Sequence, residues 1–177
     1  MPEVFVAAGS NVEPERHLAL AAALLERAFG RVRFSPWYRN KAVGFQGDDF
    51  INFVVGFTTE LPVETVVAKL REIETACGRP RDAPKWAPRT MDLDILLYGD
   101  LVHDEPRLRL PRPDLLKRPY MLGPLADIAP ELLHPTAGAS IAELWQRFDR
   151  SAHALVEVPP AFTSPRSDPH RRPGSDR

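Results

Sequence analysis

Two aspartates separated by one residue are the feature of this sequence best suited to chemistry. Asp92, Leu93 and Asp94 lie in an alternating run from Met91 to Tyr98, which predicts a β-strand. Because strand side chains alternate between faces, Asp92 and Asp94 should project to one side, about 7 Å apart. Two such carboxylates repel each other unless a cation lies between them, and hard divalent cations prefer oxygen ligands. The pair predicts a Mg²⁺ site, and the alternative is an exposed strand face that only carries acids.

A basic segment directly precedes the two aspartates. Between positions 79 and 90 it holds three prolines, an indole and four cations, which are Arg79, Arg81, Lys85 and Arg89 around Trp86. Arginine forks match phosphate oxygens, and tryptophan offers a flat face for a ring. Cations next to a carboxylate pair indicate a polyphosphate held between metal and arginine, whereas the simpler alternative is a solvated basic loop. A second basic cluster follows the strand and contains Arg107, Arg109, Arg112, Lys117 and Arg118.

Three further side chains are candidates because of their position. Phe50 and Asn52 are two residues apart on a predicted strand, hence on one face. An aromatic ring beside an amide that both donates and accepts hydrogen bonds suits a planar heterocycle, although a core Phe beside a structural Asn is the alternative. Glu74 ends a predicted helix, where an ordinary surface acid is the alternative interpretation.

The elements that must position these residues follow from apolar periodicity and turn residues. The segments 4–8, 32–38, 50–59 and 91–98 are typical of strands, and those beginning at Pro14 and Pro62 are typical of helices ending near Gly30 and Gly78. The order strand, helix, strand, strand, helix, strand predicts an α/β (α+β) protein with a ferredoxin-like βαββαβ antiparallel sheet and helices packed on it.

The remainder of the chain is predicted to be a C-terminal appendage. After Gly99 we expect short edge strands at 101–102 and 108–110, a loop at 111–119, and helices at 121–128 and 141–148. From about residue 161 no helical or strand period continues and Ser, Pro, Arg and Asp dominate. We therefore predict one domain over residues 1–160 and a disordered tail over residues 161–177.

Composition excludes several classes of protein. The 177 residues carry 23 Lys+Arg and 24 Asp+Glu, a net charge of −1 that gives no general attraction for nucleic acid or anionic membrane. No apolar run approaches the length of a membrane span, and the start lacks the pattern of a signal peptide, so we predict a cytoplasmic protein. The single cysteine, Cys77, excludes a disulfide framework. We expect a monomer.

The motifs together resemble a known family. The run from Arg79 through Trp86, Arg89 and Asp92-Leu93-Asp94 to Gly99 is similar to the signature of the 6-hydroxymethyl-7,8-dihydropterin pyrophosphokinases of folate biosynthesis. The likeness covers about residues 3 to 135, and it includes Gly9-Ser10-Asn11, Tyr38-Arg39, Phe50-Ile51-Asn52, Ile73-Glu74 and Ile128 to Glu131.

The resemblance implies an activity and a set of site residues. The implied enzyme is a 2-amino-4-hydroxy-6-hydroxymethyldihydropteridine diphosphokinase, which transfers pyrophosphate from ATP to the pterin hydroxymethyl group, releases AMP and uses two Mg²⁺. Metal ligands would be Asp92 and Asp94, and catalysis would also involve Arg79 and Arg89. The implied ATP-binding residues are Glu74, Arg79, Arg81, Lys85, Trp86, Arg89, Ile95, Arg112 and Arg118. The implied pterin-binding residues are Val43, Gly44, Phe50, Asn52, Trp86, Asp92 and Tyr120.

Two positions depart from the family pattern. Arg112-Pro113 replaces a histidine-containing pair, and Asp82 replaces a basic residue of one subgroup. No His or Lys is an obvious general base, which leaves Asp94 as a candidate to help deprotonate the hydroxyl.

Two other functions stay open. A different Mg²⁺-dependent phosphoryl or nucleotidyl transferase would not stack a pterin between Phe50 and Tyr120. A non-catalytic ferredoxin-like binding module would need no carboxylate pair.

Overall fold

A computed structural model describes residues 1–42, 47–78, 90–151 and 154–161 of the chain. Within these ranges the chain forms eight strands, four α-helices and one 3₁₀ turn. The strands are β1 Glu3–Ser10, β2 Arg33–Phe34, β3 Trp37–Asn40, β4 Phe50–Thr58, β5 Asp92–Tyr98, β6 His103–Glu105, β7 Leu108–Leu110 and β8 Val156–Val158. The helices are α1 Pro14–Phe29, α2 Val63–Ala76, α3 Pro119–Ile128 and α4 Ile141–Arg147, and the 3₁₀ turn is Pro113–Leu116.

Most strands join one antiparallel sheet. Its order is β5-β1-β4-β3-β8, and the short β2 also pairs with β4. The central strands β1 and β4 are buried along nearly their whole length, since side chains of both faces are covered. The structure is therefore a mixed α/β protein with helices packed on an antiparallel sheet.

The predicted helices α1 and α2 form the layer on one face. Proline at the first position of α1 suits a helix start, because that N–H has no partner within the helix. Gly30, at φ 80°, ends the helix in a conformation that favours glycine. Leu18, Leu25 and Leu70 are almost fully buried and pack against the sheet in the larger hydrophobic core. This layer fixes the strands rather than contributing most of the site.

The other face is covered by residues from the later part of the chain. Helices α3 and α4 pack there against Phe5, Val54 and Leu96 in a second hydrophobic cluster. The hydroxyl of Tyr38 on β3 donates a hydrogen bond to Asp127 on α3, which anchors that helix to the sheet. The residues after Gly99 thus supply a second helical layer and, through β8, an edge of the main sheet.

Several local predictions are wrong. The predicted strand 32–38 is two short strands separated at Ser35-Pro36, because proline has no N–H for the ladder and the Ser35 hydroxyl accepts the Val54 N–H at 2.8 Å instead. The predicted edge strand 101–102 does not form, and β6 pairs with β7 in a separate hairpin. Strand β8 was not predicted at all.

The alternation of β5 also breaks once. Met91, Leu93 and Ile95 belong to the larger core as predicted, but Leu97 joins the second cluster together with Leu96. The cause is an irregularity in the pairing of β1 with β5, where Val6 pairs with Ile95 and Phe5 with Leu97. Asp92 and Asp94 precede this break and keep the predicted common face.

In the described ranges, no helix has the length and apolar character required to span a membrane. Cys77 is buried and unpaired, and burial raises the pKa of its thiol to about 11. The thiolate is therefore disfavoured at neutral pH.

Candidate active site

One row of residues crosses four neighbouring strands on the face that carries α3. The pairing places Tyr38 opposite Asn52, Asn52 opposite Gly9, and Gly9 opposite Asp92. The backbones of Asn52 and Asp92 are thus two strand spacings apart, about 10 Å, with Gly9 between them. Three residues of this row, Asn52, Gly9 and Asp92, are called the floor below. The Asn52 amide and the Asp92 carboxylate project from the same face of the sheet, so one flat molecule on that face can contact both.

The absence of a side chain at Gly9 leaves room for the Asn52 amide. A Cβ added to Gly9 would lie 2.5 Å from Oδ1 of Asn52, closer than such contacts occur in proteins. The glycine is needed here for close approach and not for an unusual backbone angle, since its position belongs to the regular strand β1. Any larger residue would displace the Asn52 amide.

The Asn52 amide is held by a second amide. Asn52 Nδ2 donates a hydrogen bond to Oδ1 of Asn40, and Asn40 Nδ2 donates to the carbonyl of Lys41 at 3.0 Å. Both asparagines are buried, so their amides are oriented by each other rather than by water. Sequence reasoning placed Asn52 in the site but missed the side chain of Asn40, because strand periodicity does not show which residues pair.

Asp92 and Asp94 occupy the start of β5, and Glu74 fixes that start. The Glu74 carboxylate is buried, accepts the backbone N–H of Leu93 at 3.0 Å, and binds Arg71 Nη1 at 2.7 Å. Leu93 lies between the two aspartates, so this bond holds the backbone from which both side chains project. Glu74, predicted to bind ATP, thus makes a contact that positions the strand; its contact to ATP stays a prediction.

Several charged groups lie close to the carboxylate of Asp94. Burial raises the pKa of its carboxyl, the charge of Arg112 opposes that shift, and the negative charges of Asp92 and Glu74 add to it. Arg112 Nη2 lies 3.7 Å from Asp94 Oδ1 and 3.3 Å from Asp114 Oδ2. A site that destabilises its own carboxylate favours an incoming cation.

The carboxylate pair fits a Mg²⁺ site that is completed by substrate. The described residues contain no group of three or more His, Cys, Asp or Glu side chains arranged around a metal. Asp92 and Asp94 are both half-buried on one face, so the remaining ligands of a cation would be water and phosphate oxygens. Mg²⁺ in nucleotide sites usually binds in this way, through one or two carboxylates together with phosphates.

A cleft beside Asp94 joins apolar and cationic side chains. It is lined by Val67, Leu70 and Arg71 of α2, by Leu93, Asp94 and Ile95 of β5, and by Arg107, Leu108, Arg109 and Arg112. Apolar walls with several guanidinium groups suit a ligand that combines a ring with phosphates. The predicted residues Ile95 and Arg112 both lie in this cleft. Arg71 was missed, since on α2 it has the appearance of an ordinary surface cation.

Phe50 and Tyr120 come from two adjacent layers of the molecule, the sheet and the helices on it. Phe50 begins β4 on the face of Asn52, and Tyr120 lies in the first turn of α3. Burial raises the pKa of the Tyr120 hydroxyl, Arg118 opposes the shift, and Asp94 adds to it. Tyr120 therefore lies within electrostatic range of Arg118 and Asp94. Its stacking on a pterin and the contact of Arg118 to phosphate stay predictions.

Several predicted site residues lie outside the described residues. They are Val43, Gly44, Arg79, Arg81, Lys85, Trp86 and Arg89.

Comparison with known proteins identifies the family. The model of the 7,8-dihydro-6-hydroxymethylpterin-pyrophosphokinase family matches residues 5–130. The chain belongs to this family. It is 37% identical over 150 residues to a 2-amino-4-hydroxy-6-hydroxymethyldihydropteridine pyrophosphokinase of Synechocystis, covering 83% of this chain and 76% of the relative. It is 39% identical over 145 residues to the enzyme of the same name from Pseudomonas aeruginosa, covering 80% and 88%.

This chain, a member of the pyrophosphokinase family, shares its fold with solved structures. The wild-type HPPK-DHPS chain of Plasmodium falciparum matches with a TM-score of 0.62 at 14% identity, over 82% of this chain and 43% of that chain. The chain thus spans less than half of that longer protein. The resemblance predicted from the Asp92-Leu93-Asp94 segment and its flanks is confirmed at the level of the family.

Proposed function

We propose that this chain transfers pyrophosphate from ATP to the hydroxymethyl group of 6-hydroxymethyl-7,8-dihydropterin and releases AMP, as a 2-amino-4-hydroxy-6-hydroxymethyldihydropteridine diphosphokinase of folate biosynthesis. Membership of the pyrophosphokinase family supports the assignment. The single structural observation that carries it is the floor, in which the oriented Asn52 amide and the Asp92 carboxylate project from backbone positions about 10 Å apart. A fused-ring heterocycle would present its amide edge to Asn52 and its reacting arm to the carboxylates.

The bond changes define what the site must supply. The hydroxymethyl oxygen bonds to the β-phosphorus of ATP, and the bond from that phosphorus to the α,β-bridging oxygen breaks, so that AMP leaves with the bridging oxygen. The hydroxyl proton is released, and Asp94 is the proposed acceptor because its carboxylate lies at the reactive end of the site. Positioning and charge neutralisation account for most of the catalysis of such a transfer.

The pterin subsite is proposed around the floor. Asn52, oriented by Asn40, would read the amide edge, and the rings of Phe50 and Tyr120 would stack on the two faces of the pterin. Asp92 would lie at the reactive end. Val43, Gly44 and Trp86 are proposed for the same subsite on the resemblance alone.

The nucleotide subsite is proposed in the cleft between α2 and β5. Ile95 and its apolar neighbours would contact the base. Glu74 is proposed to contact ATP on the resemblance alone. Arg112 and Arg118 would bind phosphates, because guanidinium groups pair bidentately with phosphate oxygens. Arg79, Arg81, Lys85, Trp86 and Arg89 are proposed for the triphosphate, with Arg79 and Arg89 stabilising charge during transfer.

Asp92 and Asp94 would hold two Mg²⁺ ions together with the phosphates. When bound, the metal supplies charge neutralisation of the triphosphate. The half-buried carboxylates, the raised pKa of Asp94 and the buried Arg112 Nε, which has no hydrogen-bond partner among the described residues, support a site built for an additional charged group.

One assay tests the function. AMP should form from ATP and Mg²⁺ only when 6-hydroxymethyl-7,8-dihydropterin is present, with one pyrophosphorylated pterin for each AMP. Formation of ADP, or AMP formation at the same rate without the pterin, would indicate another phosphoryl or nucleotidyl transferase. Binding of both ligands without turnover would indicate the non-catalytic module.

The finer description of the molecule is also a proposal. The order β5-β1-β4-β3, with α1 and α2 on one face, supports a ferredoxin-like topology with the later residues as an addition to it. We propose a single domain over residues 1–160. The disordered tail over 161–177, the monomeric state and the cytoplasmic location stay predictions.

A further inference from the structure

Arg112 lies between two carboxylates in the cleft. Its Nη2 is 3.7 Å from Asp94 Oδ1 and 3.3 Å from Asp114 Oδ2, and the Arg112 and Asp94 side chains are 33% and 27% exposed. Charges that are partly withdrawn from water attract each other more strongly than exposed ones, since solvent screens them less. Arg112 therefore neutralises part of the charge of Asp94 before any metal or nucleotide binds.

The backbone of Arg112 is held by a hydrogen bond, whereas its guanidinium makes no hydrogen bond to Asp94. The Arg112 N–H donates to the carbonyl of Leu96 at 2.9 Å, which holds the residue alongside β5 just beyond Asp94. The contact to Asp94 is longer than a hydrogen bond, and the buried Nε has no hydrogen-bond partner among the described residues. The guanidinium can thus leave Asp94 without loss of a hydrogen bond to it.

Arg71 does not serve Asp94 in the same way. It also exerts its charge on Asp94, but its Nη1 is bound to Glu74 Oε1 at 2.7 Å. Because a guanidinium stays protonated at any physiological pH, the positive charge that Arg112 places beside Asp94 is removed by movement of its side chain and not by titration.

We propose that Arg112 is the resident counter-ion of Asp94, which keeps this metal-binding carboxylate occupied until nucleotide phosphates draw the guanidinium away. The inference rests on the proposed function, which assigns Asp94 to metal and Arg112 to phosphate. Phosphate oxygens can bind the guanidinium bidentately, whereas Asp94 is contacted by Nη2 alone, at 3.7 Å. Metal and nucleotide then strengthen each other's binding by the same factor, as linkage requires. Arg112 would set the size of that factor.

Binding of Mn²⁺, a spectroscopic substitute for Mg²⁺, to the nucleotide-free full chain tests the proposal. Electron paramagnetic resonance of unbound Mn²⁺ gives the dissociation constant. We expect Arg112→Gln to bind Mn²⁺ about five- to tenfold more tightly than the wild type, since the competing charge is gone. Arg112→Met, whose unbranched stem fills similar space, should behave alike. Arg112→Lys keeps the charge and should stay within about twofold of the wild type.

Arg109→Gln is the matched control. Arg109 lines the same cleft, but its Nε pairs with Asp104 at 3.5 Å and not with Asp94. Its removal changes the net charge equally and should alter Mn²⁺ affinity less than about twofold. Equal tightening in Arg109→Gln and Arg112→Gln would overturn the proposal in favour of a general charge effect, and so would unchanged affinity in Arg112→Gln and Arg112→Met. Thermal melts of every variant verify that the fold is retained.

A second titration separates failure of this inference from failure of the proposed function. In the presence of α,β-methylene-ATP, which cannot transfer pyrophosphate, wild-type chain should bind Mn²⁺ more tightly than alone. Absence of that gain would contradict the proposed nucleotide site itself. A gain in the wild type that is undiminished in Arg112→Gln would contradict only the role of Arg112.

Discussion

At the level of single residues, Gly9 makes a sharp prediction. The methyl group of Gly9→Ala would come 2.5 Å from Asn52 Oδ1 and displace the amide that we assign to the pterin. We expect kcat/KM for the pterin to fall about ten- to a hundredfold, as for a misplaced binding group, while the KM for ATP changes little. A double-mutant cycle with Asn52→Ala checks the cause, because Gly9→Ala should cost much less once the amide is absent. Additive effects would contradict it.

Asp94 makes a second prediction at this scale. Asp94→Asn removes one negative charge from the pair and should lower kcat at least about a hundredfold, since metal-assisted charge neutralisation contributes several kcal/mol. Pterin binding, measured by calorimetry without metal, should be nearly unchanged. Asp100→Asn, an exposed acid in the turn after the same strand, is the matched control. Retained turnover in Asp94→Asn would remove Asp94 from the site.

The sequence predicts a site residue when the residue type and its spacing along one strand are enough to place it. Asp92 and Asp94 follow from alternation along a strand, and Asn52 from its spacing to Phe50. The predicted strand 4–8 stops before Gly9, yet β1 continues through Ser10. The role of Gly9 depends on which residues of β4 and β5 pair with it. The sequence of β1 alone does not determine that pairing.

Among the elements, α2 and β5 are joined by one carboxylate. Glu74→Ala would leave the buried Leu93 N–H without its acceptor, which costs about 1–3 kcal/mol. We expect a loss of that size in urea denaturation and a loss of metal affinity, because the backbone between Asp92 and Asp94 is released. Glu74→Gln retains one acceptor oxygen and should lose less. Glu72→Ala, an exposed acid on the same helix, should have little effect on either quantity.

The segment before α4 carries a prediction about pH. The buried Nδ1 of His134 accepts the N–H groups of Thr136 and Ala137 at 3.2 and 3.0 Å, and burial lowers the pKa of this histidine. The folded chain thus favours the neutral ring, whose stabilisation is complete above the unfolded pKa of about 6.5 and is lost as the pH falls below it. His134→Asn offers an acceptor that does not titrate, so the fall in stability from pH 7.5 to 5.5 should be smaller in this variant. His103→Asn is the control; an equal slope in wild type and His134→Asn would contradict the prediction.

Elements were predictable in proportion to their length. Helices α1 and α2 have enough turns for a clear apolar stripe, with Leu18, Leu25, Val66 and Leu70 buried as expected. Strand β8 has three residues and is followed by Pro159-Pro160, so no periodicity develops. It forms only because the edge of β3 offers backbone partners, pairing Trp37 with Val158.

For the molecule as a whole, β8 sets the expected limit of the folded domain. A chain ending after Ala161 should retain full turnover and melt within about 2 °C of the intact protein, since β8 is kept. A chain ending after Asp149 loses the pairing of β8 with β3, the strand that carries Asn40. It should melt about 4–8 °C lower, corresponding to about 2 kcal/mol, and bind pterin more weakly. A large loss in the longer chain would place the domain boundary beyond residue 161.

The strand order also determines how the protein can be attached to a surface. Strands β5 and β8 are the two outer members of the β5-β1-β4-β3-β8 order, about 19 Å apart across four strand spacings. Asp94 and the cleft belong to the β5 side, whereas Ala161 follows β8. Immobilisation through a tag placed after Ala161 should therefore leave the cleft accessible to ligand flowing over a sensor chip. Coupling through the β6–β7 hairpin, whose Leu108 and Arg109 line the cleft, should obstruct it.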